Sequence, residues 1–501
     1  MHVRAPRITA VPSELVCAIL EHLQFKDRLR ATHTCRKWRT SASEYPSVLW
    51  SYIVSRGRVP GALSGQLSRS QGVPVSVLLT HPTRFLLDAM LTIGEHLHHI
   101  RALIIDTPDD LAADEQALGP ADPYLILHHL RLPAPLLELL ELTIEVGEDP
   151  SDSDDSGEPR PHSPDVIPSD IFGGHAPRLT HLALTGNFDF PERCDAFQNV
   201  SHLVLFLKSP PITAIEAIDI VFPGLEHLLF DASNCDYVPP EHTSLRLKSL
   251  SVVDDYDDPL GVLRHFRYET VPNVVSGPFD NADWSIAFTE PRNRENADYD
   301  VHLTAEEWSA RWVVSDDAGR LRTVFFAPED ELVCPALWEN ITSFSINETF
   351  FYSDWDTLPP LPRVARLTLF LNRALSYDHP FDKPNIFHDL DQIDRPEALA
   401  CPQLRVLSFG LGSTEHYTDL RQNVRLVLAP EDVSNCITSY VKYSALKLDE
   451  VAFHAVELLT LVPSQLCILF DLVDTVLVDD APLLDVYRTV DIWHGKRSAF
   501  V

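Results

Sequence analysis

A short apolar pattern recurs along most of this 501-residue chain: an apolar residue, two others, an apolar residue, one other, and a last apolar residue. It appears as "IRALII" (from Ile100), "LLELTI" (Leu139), "LTHLAL" (Leu179), "VSHLVL" (Val200), "LEHLLF" (Leu225), "LKSLSV" (Leu247), "ITSFSI" (Ile341), "VARLTL" (Val364) and "LRVLSF" (Leu404). Alternation over so few residues is typical of a strand with one buried face. Units this short bury that face only by stacking on similar neighbours, so the pattern predicts an array of parallel strands.

The spacing of these segments resembles that of leucine-rich repeats. Most intervals lie between 21 and 25 residues or near 40, and one is 94 residues long. Four segments share a preceding proline, in "APRLTHLAL", "FPGLEHLLF", "LPRVARLTL" and "CPQLRVLSF", which predicts a repeated turn into the strand. We therefore expect an α/β fold, with an irregular leucine-rich-repeat-like domain over residues 77–501 and a Gly/Ser/Pro-rich linker over 57–76. Period-two alternation alone would fit any other sheet.

Two segments interrupt the array. Residues 147–164, "GEDPSDSDDSGEPRPHSP", are acidic, rich in Ser and Pro and without apolar periodicity, which predicts a flexible loop. Residues 255–335 fill the long interval, and "SDDAGR" within them reads as the turn of a β-hairpin. We expect an inserted β-hairpin or ribbon there, in which Trp308 and Trp312 belong either to a core or to a binding edge.

The charge of the chain is unevenly distributed. Residues 1–70 hold eleven Lys and Arg against four Asp and Glu, whereas the whole chain has a net formal charge of −33. A body this acidic repels phosphate backbones, which argues against nucleic-acid binding. No apolar run is long enough to span a membrane, and we expect a soluble protein of the cytoplasm or the nucleus. No motif indicates a catalytic, cofactor or metal site, so we expect none of these.

The segment "VPSELVCAILEHLQFKDRLRATHTCRKW", residues 11–38, has a different pattern. Leu15, Ile19 and Leu23 recur every four residues, which predicts an amphipathic helix over residues 12–23. A second apolar stripe follows, and a further helix through Trp38 is predicted to stop near Pro46. A hairpin of about 45 residues with so few large apolar side chains buries too little surface to offset its conformational entropy, so it needs a partner surface.

The same segment resembles an F-box. The resemblance is carried by Val-Pro-x-Glu-Leu, Ile19-Leu-x-x-Leu23, Lys-Asp-x-Leu29, Cys35-Arg-x-Trp38-Arg and Leu49-Trp50, over about 40 positions. It implies a three-helix F-box at residues 1–56, and the repeat region resembles the leucine-rich-repeat class of F-box proteins. F-boxes dock on the Skp adaptor of SCF (Skp-cullin-F-box) ubiquitin ligases. The alternative is that this segment is an ordinary helical cap at the end of the repeat solenoid.

The resemblance also implies roles for individual residues. The adaptor-binding residues it implies are Val11, Pro12, Leu15, Ile19, Leu23 and Leu29 on the apolar surface, with Cys35, Trp38 and Trp50 packing the hairpin and joining it to the adaptor. The family's adaptor is acidic, so Lys26, Arg28, Arg36, Lys37 and Arg39 could steer docking or could simply be solvated.

Side chains between the buried positions of the repeat strands face the opposite side of the sheet. One predicted column of this face is Glu141, His181, His202 and His227, and another includes Phe206 and Asp231. These six residues are candidates for contacting a substrate protein. The three histidines could share a metal ion, but parallel ligands on neighbouring strands give poor tetrahedral geometry, and we expect a polar peptide-binding face instead.

Three hypotheses about function follow. The first is a non-enzymatic substrate receptor that binds the Skp adaptor and, through it, a cullin-RING ligase, and that holds an unknown protein substrate on the repeat face. The second is an F-box protein in a ligase-independent Skp complex. The third is an enzyme with a cleft in residues 255–335, for which the sequence shows no convergent polar groups.

Overall fold

The computed structural model describes residues 11–23, 25–56, 61–80, 86–107, 123–144, 165–207, 212–231, 243–253, 259–279, 298–305, 310–326, 335–347, 358–371, 398–411, 426–458 and 466–479. The chain forms two compact units that divide between Lys248 and Ser249. The predicted loop at 147–164 and Trp308 lie outside the described residues. The repeated apolar pattern is present on both sides of this division. The sequence therefore predicts a single domain over 77–501 and does not reveal where the two units divide.

The first unit consists of N-terminal helices followed by a parallel sheet. Its helices are α1 (Ser13–Glu21), α2 (Phe25–Thr32), α3 (Arg36–Glu44), α4 (Pro46–Trp50), α5 (Ala62–Arg69), α6 (Leu86–His96), α7 (Pro123–His129) and α8 (Ile212–Val221). Its strands are β1 (Tyr52–Ser55), β2 (Val75–Thr80), β3 (Ile100–Thr107), β4 (Leu139–Ile144), β5 (Asp165–Val166), β6 (His181–Gly186), β7 (Phe188–Asp189), β8 (His202–Leu207) and β9 (His227–Asp231). Short 3-10 turns span Leu97–His99, Ile171–Gly174 and Asp195–Phe197.

The strands of this unit pair in parallel in the order β1, β2, β3, β4, β6, β8 and β9. One face of the sheet is continuously apolar, and Leu140, Leu182, Leu203 and Leu228 occupy it on successive strands with at most 2% exposure. This face is the core that the repeated apolar pattern predicted. The stacking therefore confirms a leucine-rich-repeat-like body.

The range 57–76, expected to be a linker, contains regular structure. Helix α5 occupies Ala62–Arg69, and β2 begins at Val75. Leu63 and Leu67 lie one turn apart on α5 and are buried, so a short apolar stripe fixes the helix in place. The Gly and Ser residues that suggested a linker lie within and beside this helix.

The second unit has a sheet with one antiparallel insertion. Its helices are α9 (Pro259–His265), α10 (Pro335–Trp338), α11 (Pro430–Tyr440) and α12 (Leu466–Phe470), and a 3-10 turn spans Tyr268–Thr270. Its strands are β10 (Ser249–Val253), β11 (Asn273–Phe279), β12 (Tyr299–Ala305), β13 (Ala310–Asp316), β14 (Leu321–Phe326), β15 (Ile341–Asn347), β16 (Arg366–Leu371), β17 (Leu399–Ala400), β18 (Val406–Leu411), β19 (Leu426–Leu428), β20 (Val441–Lys442), β21 (Leu448–His454), β22 (Val456–Leu458) and β23 (Val473–Asp479).

The expected hairpin insertion is confirmed, and it is continuous with the sheet. Strand β13 pairs antiparallel with both β12 and β14, whereas β14 pairs in parallel with β11 and β12 in parallel with β15. Gly319 closes the predicted turn with a φ of +73°, a backbone conformation that favours glycine. Trp312 is 1% exposed and packs edge-on against Trp338, with ring centroids 5.0 Å apart, so it belongs to the core.

None of the described helices is both long enough and apolar enough to cross a membrane.

Candidate functional site

Helix α1 carries two neighbouring apolar stripes that differ in exposure. Val16 and Leu20 are completely buried in a core that α1 shares with the following helices. Leu15 and Ile19, on another side of α1, are 55% and 45% exposed. Since they lie one turn apart, they form a pair of exposed apolar side chains, and exposed apolar surface of this kind is typical of contact with another protein.

The other predicted adaptor-binding residues occupy several environments. Pro12 is exposed at the start of α1, and Cys35 is half-buried at the start of α3. The four residues half-buried against the helical core are Val11, Leu23, Leu29 and Trp38. Trp50 is only 8% exposed and is part of that core. Residues 11–50 are called the helical head below. On its surface Pro12, Leu15 and Ile19 are exposed, whereas Trp50 packs inside its core.

Arg28 ties three parts of the helical head together. Its guanidinium donates hydrogen bonds to the carbonyl oxygens of Leu23 (2.6 Å), Val48 (2.9 Å) and Glu21 (3.1 Å). These carbonyls lie at the end of α1, in the connection to α2 and in α4. The sequence placed Arg28 among the basic residues available to steer docking or to be solvated, but its three hydrogen bonds make it a structural clamp within the helical head. No pattern in the sequence indicates which cation makes such contacts.

We expect Arg28→Ala to lower the local stability of the helical head by about 1.5–3 kcal/mol, the usual contribution of hydrogen bonds to a charged group. Arg28→Lys should restore only part of it, because one ammonium group cannot bond three carbonyls in the geometry of a planar guanidinium. Hydrogen–deuterium exchange of residues 11–50 measures the effect, with exposed Arg39→Ala as the control. Exchange in Arg28→Lys equal to that of the wild type would contradict the clamp.

The helical head continues directly into the sheet of the first unit. Trp50 ends α4, and β1 begins two residues later at Tyr52 and pairs in parallel with β2. The amide of Ser76 donates a 2.8 Å hydrogen bond to the carbonyl of Ser51, and the Arg69 guanidinium lies over the Trp50 ring at 5.7 Å. Backbone pairing and a cation–π contact therefore hold the head against the sheet.

The second face of this sheet carries three rows of side chains, defined by the strand register. The first row is Ser76, Ala102, Leu139, His181, His202 and His227. The second row is Leu78, Ile104, Glu141, Ala183, Val204 and Leu229. The third row is Thr80, Asp106, Thr143, Thr185, Phe206 and Asp231.

The predicted column of three histidines is confirmed, but its fourth member, Glu141, was placed wrongly. Leu139 pairs with His181, and Glu141 pairs with Ala183 one row further along. The sequence allows two frames here, starting at Leu137 or at Leu139. The structure uses Leu137, whose amide bonds to the carbonyl of Ala134 in the same way that Leu179 bonds to Ala176. The error is two residues, so Glu141 still lies on this face.

The three histidine rings stack in parallel. The centroids of His181 and His202 lie 4.3 Å apart with a 15° interplanar angle, and those of His202 and His227 lie 4.3 Å apart with 19°. Nδ1 of His181 is 2.8 Å from the Thr180 hydroxyl, and Nδ1 of His202 is 2.9 Å from the Ser201 hydroxyl. Parallel rings point their nitrogens in parallel directions, so the stack does not converge on one metal ion.

The described residues contain no group of three His, Cys, Asp or Glu side chains placed to hold a metal ion.

The remaining substrate-face candidates differ in exposure. Glu141 is 7% exposed and lies between buried Ile104 and Ala183. Phe206 and Asp231, in the third row, are half-buried on adjacent strands. The third row is thus accessible, whereas the middle of the second row is buried.

A separate group of histidines, His96, His98 and His99, lies at the C-terminal end of α6 and in the turn that follows it, next to Ser70 after α5. His99 is 2% exposed, and its Nε2 lies 3.2 Å from the Ser70 hydroxyl, which itself donates to the carbonyl of Leu67. Ser70 therefore accepts the His99 Nε2 proton, which leaves Nδ1 to accept from His98 Nε2 at 3.1 Å. Burial first, and then the neighbouring His98 and His96, lower the pKa of His99 from 6.5 to about 4. A neutral His99 imidazole therefore uses both ring nitrogens in hydrogen bonds, one as a donor and one as an acceptor.

This arrangement predicts acid sensitivity of the first unit. Because the pKa of His99 is lower in the folded state than in the unfolded chain, its contribution to stability is complete above about pH 6.5 and is lost as the pH falls toward 4. His99→Gln keeps a hydrogen-bond donor toward Ser70 but does not titrate. We expect its melting temperature to fall less between pH 7 and pH 5 than that of the wild type. Identical pH dependence of the two proteins would refute the assignment.

Comparison with known proteins identifies only the helical head. The protein-family description that matches is F-box-like, and the match covers residues 8–56. No curated protein matches the chain. The chain therefore carries an F-box-like domain at its N-terminus, followed by a repeat body of stacked parallel strands.

Proposed function

From the F-box-like domain at residues 8–56, we infer that this protein is a substrate-recognition subunit of an SCF ubiquitin ligase. F-box domains bind Skp-type adaptors, and the adaptor connects them to a cullin-RING ligase. The observation that carries the proposal is the exposed pair of Leu15 and Ile19, since large apolar side chains on one helix face favour a protein partner. The repeat body then holds the protein to be ubiquitinated.

The connection between the helical head and the sheet supports separate roles for the head, which would bind the adaptor, and the repeat body, which would bind the substrate. Pairing of β1 with β2 and the contact of Arg69 with Trp50 fix the head on the first unit. A substrate bound on the sheet would therefore keep a defined position relative to the adaptor. The contribution to catalysis is proximity, because the chemistry of ubiquitin transfer belongs to the partner subunits.

Within the head, we assign the adaptor contact to the exposed and half-buried apolar residues. Leu15, Ile19 and Pro12 would insert into the adaptor, and the half-buried set of Val11, Leu23, Leu29, Cys35 and Trp38 would border them. Trp50 would act by shaping the head, because only 8% of it is exposed.

Affinity purification from cells treated with a proteasome inhibitor tests the proposal. Three full-length proteins are compared: wild type, Leu15→Asp with Ile19→Asp, and Leu87→Asp with Leu91→Asp. The last is a matched control, because Leu87 and Leu91 also lie one turn apart on a helix, α6, and each is 47% exposed. We expect adaptor and cullin to co-purify with the wild type and the control but not with the α1 variant.

The other outcomes separate the competing hypotheses. Adaptor without cullin would favour the ligase-independent Skp complex. Absence of the adaptor from the wild type would reject both. An enzyme with a cleft in residues 255–335 gains no support from the described strands of that range, which are continuous with the sheet and bury Trp312.

A further inference from the structure

The third row of the first unit's sheet is an accessible strip that crosses six strands. Its members, Thr80, Asp106, Thr143, Thr185, Phe206 and Asp231, are half-buried on consecutive strands from β2 to β9. At about 4.8 Å per strand, the row is roughly 24 Å long. An extended peptide of about seven residues has that length.

The charged side chains of the three rows between β2 and β9 have one sign. Asp106 and Asp231 lie in the third row and Glu141 lies in the second, whereas none of the described residues in the three rows is Lys or Arg. Arg56 follows Ser55, which pairs with Leu79, so it lies beside Thr80 at the β2 end of the third row, five strands from Asp231. Beyond the basic N-terminal residues the chain is strongly acidic, so the field around the face is negative. A cationic partner is favoured and phosphate-bearing partners are repelled.

The two carboxylates of the third row are separated by a defined distance. Asp106 and Asp231 stand four strands apart, which is about 19 Å at the usual strand spacing. An extended chain advances about 3.4 Å per residue and its side chains alternate between two faces, so two side chains on the same face that are about 19 Å apart are six residues apart. Phe206 is adjacent to Asp231 and offers an apolar ring for the methylene stem of a lysine or arginine. Thr143 and Thr185 lie between, where hydroxyl groups can bond a peptide backbone.

We propose that the third row binds an extended segment of the substrate protein that carries two basic residues six positions apart, one toward Asp106 and one toward Asp231. This inference rests on the proposed function, because it names the substrate class of the receptor's own repeat face. The segment lies across the strands, along the row.

The test uses the full-length protein and fluorescein-labelled peptides of twelve residues. Each peptide has two lysines separated by a different interval, in a background of Gly, Ser, Ala and Tyr, and binding is followed by fluorescence polarisation at low salt. We expect affinity to peak when the second lysine is six residues after the first and to be lower at an interval of five, which points the two side chains to opposite faces. Affinity independent of the interval would overturn the proposal.

Paired variants separate the row from the general negative charge. Asp106→Asn with Asp231→Asn should weaken the best peptide by about five- to tenfold, as expected for the loss of two partly exposed ion pairs. Asp88→Asn with Glu216→Gln removes the same charge from exposed positions on α6 and α8 and should leave the affinity unchanged. Equal weakening by the two variants would mean bulk attraction and would refute the assignment to the row.

Other occupants give different results. A peptide of residues 490–501, which includes Lys496 and Arg497, is tested beside the lysine peptides. If it binds more tightly than all of them and requires Asp106 and Asp231, the occupant is the chain itself and the proposal fails. A dimer that Asp106→Asn with Asp231→Asn dissociates in sedimentation velocity would likewise show a second copy on the row.

Adaptor binding is measured on the same variants. If the peptides fail to bind while the adaptor binds, the proposed row is wrong and the receptor function stands. If the adaptor fails to bind the wild type, the receptor function itself is wrong.

Discussion

Replacing Leu15 and Ile19 together by Asp is expected to weaken binding to a purified Skp-type adaptor by at least about 100-fold while leaving the fold intact. Burying one such side chain in an interface contributes about 1.5–3 kcal/mol, so the loss of two amounts to at least 3 kcal/mol. Both residues are about half exposed, and the core of the helical head is made by Val16 and Leu20 instead. The melting temperature should therefore change little.

Surface plasmon resonance with immobilised adaptor measures this effect, and circular dichroism checks the fold. Leu87→Asp with Leu91→Asp should bind as the wild type does, because it introduces the same charges on an exposed pair of α6. Full binding by the α1 variant would place the adaptor contact elsewhere on the helical head.

Replacing Trp50 by Ala is expected to destabilise the helical head by about 3–5 kcal/mol, the usual cost of truncating a buried aromatic residue. Trp50 is 8% exposed, packs in the core with Val16 and Leu20, and carries the Arg69 contact that joins the head to α5. Amide exchange in residues 11–50 should accelerate by at least about 100-fold. Adaptor binding should weaken in parallel, because Leu15 and Ile19 are presented by this core.

Trp50→Phe is the matched variant, because it keeps an aromatic ring that fills most of the space. Its exchange should lie much closer to that of the wild type. If Trp50→Ala instead lost adaptor binding with normal exchange, Trp50 would contact the adaptor directly, and its internal placement would be wrong.

The repeat body was readable from the sequence where its pattern is complete. Each of the nine segments quoted for the apolar pattern overlaps a strand, from β3 to β18, and six of them begin two residues before the strand does. Strands β1, β2 and β11 were missed because "YIVS", "VSVLLT" and "NVVSGPF" do not contain the complete six-residue apolar spacing. Strands β21 and β23 were missed although "LDEVAF" (448–453) and "VDTVLV" (473–478) have that spacing, because valine and phenylalanine replace most of the leucines. Such strands are fixed by pairing with neighbours that local periodicity does not reveal.

In the helical head, the sequence does not show which of the apolar residues are buried. Helical spacing identifies the apolar residues of α1 but gives no means of separating the buried Val16 and Leu20 from the exposed Leu15 and Ile19. That separation depends on how α1 packs against α3 and α4. The same is true of Arg28, whose three carbonyl partners come together only in the folded head.

The register of the sheet could be predicted only where one frame fits. His181, His202 and His227 each follow a single possible frame, and their rings stack as expected. At β4 two frames satisfy the same apolar period, and the fold selects the one that buries Leu137 at the turn. Ambiguity of this kind is resolved by the turn that precedes the strand.

Isothermal titration of the full-length wild-type protein with a purified Skp-type adaptor tests the central claim most directly. The proposed function predicts saturable one-to-one binding with a negative heat-capacity change, since the contact buries apolar surface around Leu15 and Ile19. The absence of saturable binding by a protein whose circular dichroism shows folded helices and strands would contradict it.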